Sequence, residues 1–126
     1  MTPHWNEGRF KEAEMLFNGV LFHYVYKQCD VDGVKFLCEA QDKGRTTQNS
    51  GVMLETESDG TYYGVLEQVI QLIYEDNMPV VLFKCRWFDS KQVKRNRGII
   101  SIPTNTNCYK HDPYCLAMSA QKVYIN

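Results

Sequence analysis

The two-residue rhythm of β-strands dominates the hydrophobic pattern, and its longest stretch covers residues 62–74. One side of this stretch carries Leu66, Ile70, Leu72 and Tyr74, and the other carries Val65, Val69 and Ile73. A strand that is apolar on both sides over this length is usually bent, so that its parts serve different sheets. Residues 75–77 then reverse the chain, and residues 80–88 return as a second apolar segment. The pattern predicts that the two segments form an antiparallel β-hairpin at the centre of the domain.

Shorter apolar segments with polar turns accompany this hairpin. Residues 34–40, 51–56 and 99–102 each have the pattern of a strand. Residues 41–50 are polar and predict a loop closed by Gly51, which we expect to supply a positive φ. Because strands and helices do not alternate as in βαβ units, the predicted fold class is mainly β, a small β-barrel. Closure into a barrel would also protect the edges of so apolar a hairpin.

The beginning of the chain has a different period. Within residues 5–17 and just beyond, apolar side chains recur every three or four positions, at Phe10, Ala13, Leu16, Phe17 and Val20. This is the period of an amphipathic helix, with Asn6 as its N-cap and Gly19 as its stop. We therefore predict an N-terminal helical arm or connector in residues 1–29, followed by the barrel domain in residues 30–126. The helix either lies on the domain or is the connector to another part of a longer protein.

Length and charge narrow the class of protein. The chain has 126 residues, 44% of them hydrophobic and 23% charged, which is the composition of one globular domain. Its net charge of −1 gives no global attraction to nucleic acid or to anionic membranes. The longest apolar run, residues 20–26, is far shorter than the ~20 residues of a membrane span, and no signal peptide is recognisable. We expect an intracellular protein that does not bind membranes.

Cysteine and histidine spacing offers little chemistry. Five cysteines without a C-x-x-C pair are neither a disulfide framework nor a zinc framework, and they indicate a reducing compartment. Cys108, His111 and Cys115 are the only group spaced like metal ligands, and zinc would need a remote fourth ligand. Cys85 alternates with Phe83 and has no base placed near it, as expected of an inert core thiol. We expect no metal, no cofactor, no small-molecule substrate and no enzymatic activity.

Three ordered motifs resemble a known family. Residues 45–52 read R-T-T-Q-N-S-G-V, residues 62–67 and 80–89 read Y-Y-G-V-L-E and V-V-L-F-K-C-R-W-F-D, and residues 109–114 read Y-K-H-D-P-Y. Together with Leu116-Ala117 and the segment 121–124, this order is similar to plant domain of unknown function 4216, found in proteins of CACTA (En/Spm-type) transposons beside the transposase. The resemblance spans residues 31–125 and departs from the family pattern at His111, Tyr114 and Cys115. It implies a plant, transposon-derived, nuclear protein whose catalytic domain lies elsewhere in the parent protein.

A shorter resemblance concerns the end of the second hairpin strand. Arg86-Trp87-Phe88 resembles the R-W-F strand end of bromo-adjacent homology (BAH) domains, which are β-barrels of chromatin proteins. This resemblance implies an SH3/BAH-like barrel and a partner in chromatin, such as a histone tail. A methylated lysine would bind between aromatic rings through cation–π contacts.

Two sets of side chains are candidates for partner contact. The aromatic set lies at strand ends, where exposed Trp and Tyr dominate binding, and consists of Tyr63, Trp87, Phe88 and Tyr114. The basic set could meet DNA phosphates and consists of Lys91, Lys94, Arg95 and Arg97. Trp87 could instead be a central core residue, and the basic loop could simply be a solvated hairpin. The favoured prediction is a non-catalytic protein-binding module, and the alternative is a DNA-contacting accessory domain of a transposase.

Overall fold

A computed structural model describes residues 19–41, 48–57, 60–75, 78–88, 93–97, 99–102, 108–109 and 113–125. Their regular structure is almost entirely extended. The strands are β1 Val20–Tyr26, β2 Gln28–Val31, β3 Val34–Leu37, β4 Gln48–Thr56, β5 Gly60–Tyr74, β6 Pro79–Phe88, β7 Lys94–Asn96, β8 Ile99–Ser101, β9 Cys108–Tyr109, β10 Tyr114–Leu116 and β11 Ala120–Ile125. Two single 3₁₀ turns, Glu39–Gln41 and Ala117–Ser119, complete it. The prediction of a mainly β fold is confirmed.

The long hairpin predicted from the sequence is present and central. β5 and β6 pair antiparallel, with Leu66 opposite Cys85 and Ile70 opposite Leu82. Nine strands form one sheet whose main path runs β10-β6-β5-β4-β11-β8-β7, with β1 paired to β5 and β9 paired to β6. β2 and β3 form a separate hairpin. β11 lies inside the sheet, antiparallel to β4 and parallel to β8.

A register shift in β5 explains why both of its sides are apolar. The pairing with β6 shifts between Leu66 and Gln68, which leaves Glu67 as an extra residue. One extra residue reverses the alternation of side chains, so Leu66 shares a core cluster with Val69, whereas Val65 belongs to a second cluster. The expected bend is therefore a bulge. The predicted grouping of Leu66 with Ile70 was wrong, because unbroken parity cannot anticipate a bulge.

The core is divided between the two faces of the sheet. The first cluster contains Trp87, Phe83 and Leu66, and Phe36 of the β2–β3 hairpin packs on it with its ring 4.9 Å from that of Phe83. The opposite face carries a second cluster of Met53, Val65, Phe88, Ile100, Val123 and Ile125. A third cluster, Ile70, Leu72 and Leu82, lies towards the end of β5 that pairs with β1. Successive residues of β4 and β6 therefore point alternately to the face of the first cluster and to the face of the second.

The predicted barrel closure is not observed. In the described part of the chain, the main path ends at β10 on one side and β7 on the other, and no pairing joins these ends. Both end strands have three residues, and the β2–β3 hairpin covers the first cluster as a separate layer. A covering hairpin therefore buries the apolar face that closure was expected to bury.

The predicted helical arm is not seen either. The helix expected in residues 5–17 lies outside the described residues. Residues 19–29, which we assigned to the same arm, form β1 and the beginning of β2. Gly19, at a φ of 80°, precedes a run of Val, Phe and Tyr that favours strands, and β1 pairs with β5 of the main sheet.

The structure also corrects the role expected for Gly51. β4 begins at Gln48, so the end of the predicted polar loop is strand, and Gly51 lies within β4 without a positive φ. A Cβ at Gly51 would clash with the carbonyl oxygen of Val123 and lie 2.9 Å from Cγ1 of Ile125. Gly51 is needed because β11 approaches β4 closely there, not because of a turn.

Candidate interaction site

β1 exposes more large hydrophobic side chain than any other described strand. Leu21, Phe22, Tyr24, Val25 and Tyr26 are each between 45% and 60% exposed. These residues are consecutive apart from His23, which is also exposed. Single exposed hydrophobic residues are ordinary, whereas five of them within six positions make β1 the candidate for an interaction surface.

β1 occupies an edge that it shares with β4. β4 pairs with residues 60–65 of β5, and β1 pairs with residues 69–74 on the same side of that strand. Among the described strands, only β5 pairs with β1. Within the described ranges, the other edge of β1 thus has no strand partner, and a further strand could pair with its backbone N–H and C=O groups.

Alternation divides the side chains of β1 between its two faces. Tyr24 lies opposite Gln71 of β5, and the hydroxyl of Tyr26 donates a hydrogen bond to Oε1 of Gln71 at 3.0 Å. The register shifts between Val20 and Phe22, which leaves Leu21 as the extra residue of a bulge. Phe22, Tyr24 and Tyr26 consequently form an aromatic row on one face, while His23 and Val25 point to the other.

The edge of β1 lacks the usual protection against pairing. Natural edge strands carry charged residues, Pro or strong bulges. Residues 20–26 contain no Lys, Arg, Asp, Glu or Pro, and the bulge lies at the beginning of the strand. The short end strand β7, in contrast, exposes Lys94 and Arg95. The unprotected apolar edge is therefore a local property of β1.

The aromatic candidates do not form one surface. Trp87 is 1% exposed and lies in the first core cluster, whereas Phe88 is 6% exposed and lies in the second, on the opposite face. Tyr63 is half-buried against the second cluster and Tyr114 against the third. Trp87 is thus a core residue, as the alternative interpretation expected, and a binding role for the set remains a prediction.

The neighbours of Trp87 explain its position. Gly64 lies opposite Trp87, and a Cβ at Gly64 would lie 2.8 Å from Cε3 of the indole and 2.6 Å from the carbonyl oxygen of Arg86. Tyr62 packs at a ring distance of 6.2 Å. The indole Nε1 is buried, and no described residue accepts its hydrogen bond. The glycine therefore makes room for the largest side chain of the core.

The basic candidates lie at one end of the sheet. Lys94 and Arg95 of β7 and the adjacent Arg97 are exposed, and Lys91 lies outside the described residues. Lys84 and Arg86, the basic residues of β6, are not neighbours of β7 in the sheet, because four strands separate β6 from β7 along the main path. The exposed basic residues are thus a local group on the β7–β8 hairpin.

Arg86 is engaged in the fold. Its Nη2 donates to Oε1 of Glu39 at 2.6 Å, and its guanidinium carbon lies 5.5 Å from the ring centroid of Phe88. This ion pair ties the 3₁₀ turn after β3 to β6 and so helps to hold the covering hairpin. On the other side of that hairpin, Nζ of Lys122 donates to the carbonyl oxygen of Lys35 at 2.9 Å.

The cysteines whose side chains the structure describes are free thiols in or beside the core. Cys38, Cys85 and Cys115 are buried in the first cluster, and Cys29 packs against it. Burial, and next a hydrogen bond with Cys115, raise the pKa of Cys85 well above its ordinary value, which keeps the thiol neutral and unreactive. Within the described ranges, His, Cys, Asp and Glu nowhere form a group of three that could hold a metal ion. Those ranges also contain no helix suited to crossing a membrane.

The sequence carries a signal for β1. Residues 20–26 are the longest apolar run of the chain, and this run is too short for a membrane span. Its Val, Phe and Tyr content and the preceding glycine are typical of a strand. Exposure of such a strand contradicts the expectation that apolar runs are buried, which is why only the structure revealed this site.

Comparison with known proteins gives a match to a family model. No curated protein and no solved structure matches the chain significantly. The matching family model begins in the second half of β5 and ends with β11, so it includes β6 and excludes β1 and β4. Residues 70–125 of this chain match the family described as a domain of unknown function (DUF4216).

Proposed function

We propose that this domain is a non-catalytic protein-interaction module and that β1 is its contact strand. The observation that carries the proposal is the exposed aromatic row of Phe22, Tyr24 and Tyr26 on β1, a strand whose outer edge pairs with no other described strand. A partner that adds a strand to this edge gains backbone hydrogen bonds, and its side chains meet the aromatic row. Phe22, Tyr24 and Tyr26 combine large apolar area with few rotatable bonds, so ordering them on binding costs little.

The cellular setting is part of the same proposal. The ordered motifs resemble the transposon-associated plant family, and the family model matches residues 70–125. These similarities support a plant transposon-derived nuclear protein. The resemblance of Arg86-Trp87-Phe88 to BAH strand ends supports chromatin, including histone tails, as the class of partner. An aromatic cage for methylated lysine would have to form without Trp87, because that ring is buried.

Site-specific photo-cross-linking tests the contact strand. A photoreactive phenylalanine analogue is placed at Phe22, or at Met118 as a matched control, since Met118 is 79% exposed and lies on a 3₁₀ turn away from β1. The full chain is then irradiated in plant nuclear extract. We expect protein adducts from position 22 and few or none from position 118. Equal labelling from both positions, or no adduct from position 22, would show that β1 is not the contact strand.

A second function is favoured by one observation, the exposure of Lys94, Arg95 and Arg97 on the β7–β8 hairpin. Three phosphate contacts would make the logarithm of DNA affinity fall with the logarithm of salt concentration with a slope of about −2.7. Fluorescence anisotropy with duplex DNA would compare the native chain with the triple Ala variant. Binding that is abolished by this variant and unchanged by Phe22→Ala would identify a DNA-contacting domain instead.

A further inference from the structure

The residues of β1 are complementary to themselves around His23. If β1 pairs antiparallel with the same strand of another molecule and His23 faces its own copy, Phe22 lies opposite Tyr24, and Val25 lies opposite the bulge at Val20 and Leu21. These positions then join aromatic with aromatic and aliphatic with aliphatic side chains. Such cross-strand pairs are the unit of sheet stabilisation. The two-fold axis repeats each of these pairs, so each occurs twice in the dimer interface.

Charge selects this register over its neighbour. With His23 opposite its copy, Lys27 falls beyond the end of the partner strand. A shift that centres the pairing on Tyr24 would put Lys27 opposite Leu21 and His23 opposite Val25. The first register keeps the cation in water and gives every apolar side chain an apolar neighbour, so it is favoured over the alternative.

The exposed area fits a small symmetric interface. Since a fully buried aromatic side chain covers about 150–250 Å², the exposed fractions of Phe22, Tyr24 and Tyr26 leave about 300 Å² in contact with water. Leu21 and Val25 raise the exposed apolar area of both faces to about 500 Å², so ~1,000 Å² for two copies is the upper limit of what edge-to-edge pairing could bury. An interface below this limit is smaller than those of stable complexes, so the pairing is weak and reversible.

We propose that β1 pairs with β1 of a second copy of this chain, antiparallel about a two-fold axis at His23, to join two sheets edge to edge. This inference rests on the proposed function, because it names the partner of the same strand. It accounts for an uncharged edge on an otherwise protected sheet, since a self-pairing strand must remain free of like charges.

Charge exchange at the symmetry axis provides the test. Sedimentation velocity is measured on the full chain from about 1 to 100 µM, the range of a weak dimer. We expect a concentration-dependent dimer for the native chain. His23→Lys and His23→Glu should each be monomeric, because like charges would face each other, and an equimolar mixture should restore the dimer. Circular dichroism checks folding, and Tyr124→Lys on β11 is the matched control that leaves the dimer intact.

Three results would overturn the self-pairing. They are a native chain that stays monomeric throughout this range, a dimer unaffected by both His23 variants, and variants that dissociate but do not associate when mixed. A monomeric chain is also the result expected if residues 5–17 of the same chain cover β1. Failure here is distinguishable from failure of the proposed function. If the chain is monomeric but position 22 still cross-links to another protein, only the self-pairing is wrong and β1 is still a contact strand. If neither the dimer nor the cross-link is found, the proposed function is wrong as well.

Discussion

Replacing Trp87 by Phe should cost far less stability than replacing it by Ala. Trp87 is 1% exposed, and it packs among the first-cluster residues opposite Gly64 and beside Tyr62. Its indole Nε1 is buried without an acceptor among the described residues. The native side chain therefore combines a large favourable burial with an unfavourable polar group. The two substitutions separate these contributions, because Phe keeps an aromatic ring and removes the N–H.

The expected magnitudes follow from burial and hydrogen bonding. Trp87→Ala removes the largest core side chain and leaves a cavity, at a cost of about 3–5 kcal/mol in the free energy of unfolding. In Trp87→Phe the lost contact area is offset by removal of an N–H that has no acceptor among the described residues, since a buried N–H left without a partner costs about 1–3 kcal/mol. We expect a net loss of about 1 kcal/mol or less for Phe.

Urea denaturation followed by far-ultraviolet circular dichroism measures both differences. The slope of the unfolding free energy against denaturant should be unchanged, so that the midpoints report stability alone. A Trp87→Phe variant as unstable as Trp87→Ala would refute the argument, because it would mean that the indole N–H contributes favourably. A folded and fully stable Trp87→Ala variant would refute the core assignment itself.

Further predictions concern the backbone, an ion pair and a thiol. Gly64→Ala should destabilise the fold by about 1–3 kcal/mol, because the added methyl group would overpack against β6. Gly60→Ala should cost less, since only the φ of 80° opposes a side chain there, and the urea midpoints of the two variants would show the order. Glu39→Gln removes a partly exposed ion pair with Arg86 and should cost less than about 1 kcal/mol, with a smaller effect in high salt. The pKa of Cys85 is raised in the folded state, so stability should fall as the pH rises through the ordinary thiol value of about 8.5, where only the unfolded chain ionises. Cys85→Ala should show a shallower decline above that pH, and an unchanged decline would assign it to other groups.

Alternation alone was sufficient to predict the β5–β6 hairpin, because both strands are long and apolar. It failed at Glu67, because a single extra residue reverses the face to which every later side chain of the strand points, and nothing in the composition indicates such a residue. The same rule, applied strictly, would have shown that Trp87 and Phe88 cannot line one surface, because neighbours in a strand point to opposite faces. The edge at β1 was harder to foresee, since pairing partners depend on tertiary structure.

The position of β11 has a consequence for how the domain folds during synthesis. β11 separates β4 from β8, and its partner residues in β4 are about seventy positions earlier in the chain. Until residues 120–125 have left the ribosome, β4 and β8 each lack a neighbour on that side. The nascent chain must therefore hold a long apolar hairpin in an incomplete sheet, and contacts of such sequence separation form slowly. Insertion of β11 should therefore be a late step in folding, and the unfinished sheet should be sensitive to chaperones that shield exposed strands.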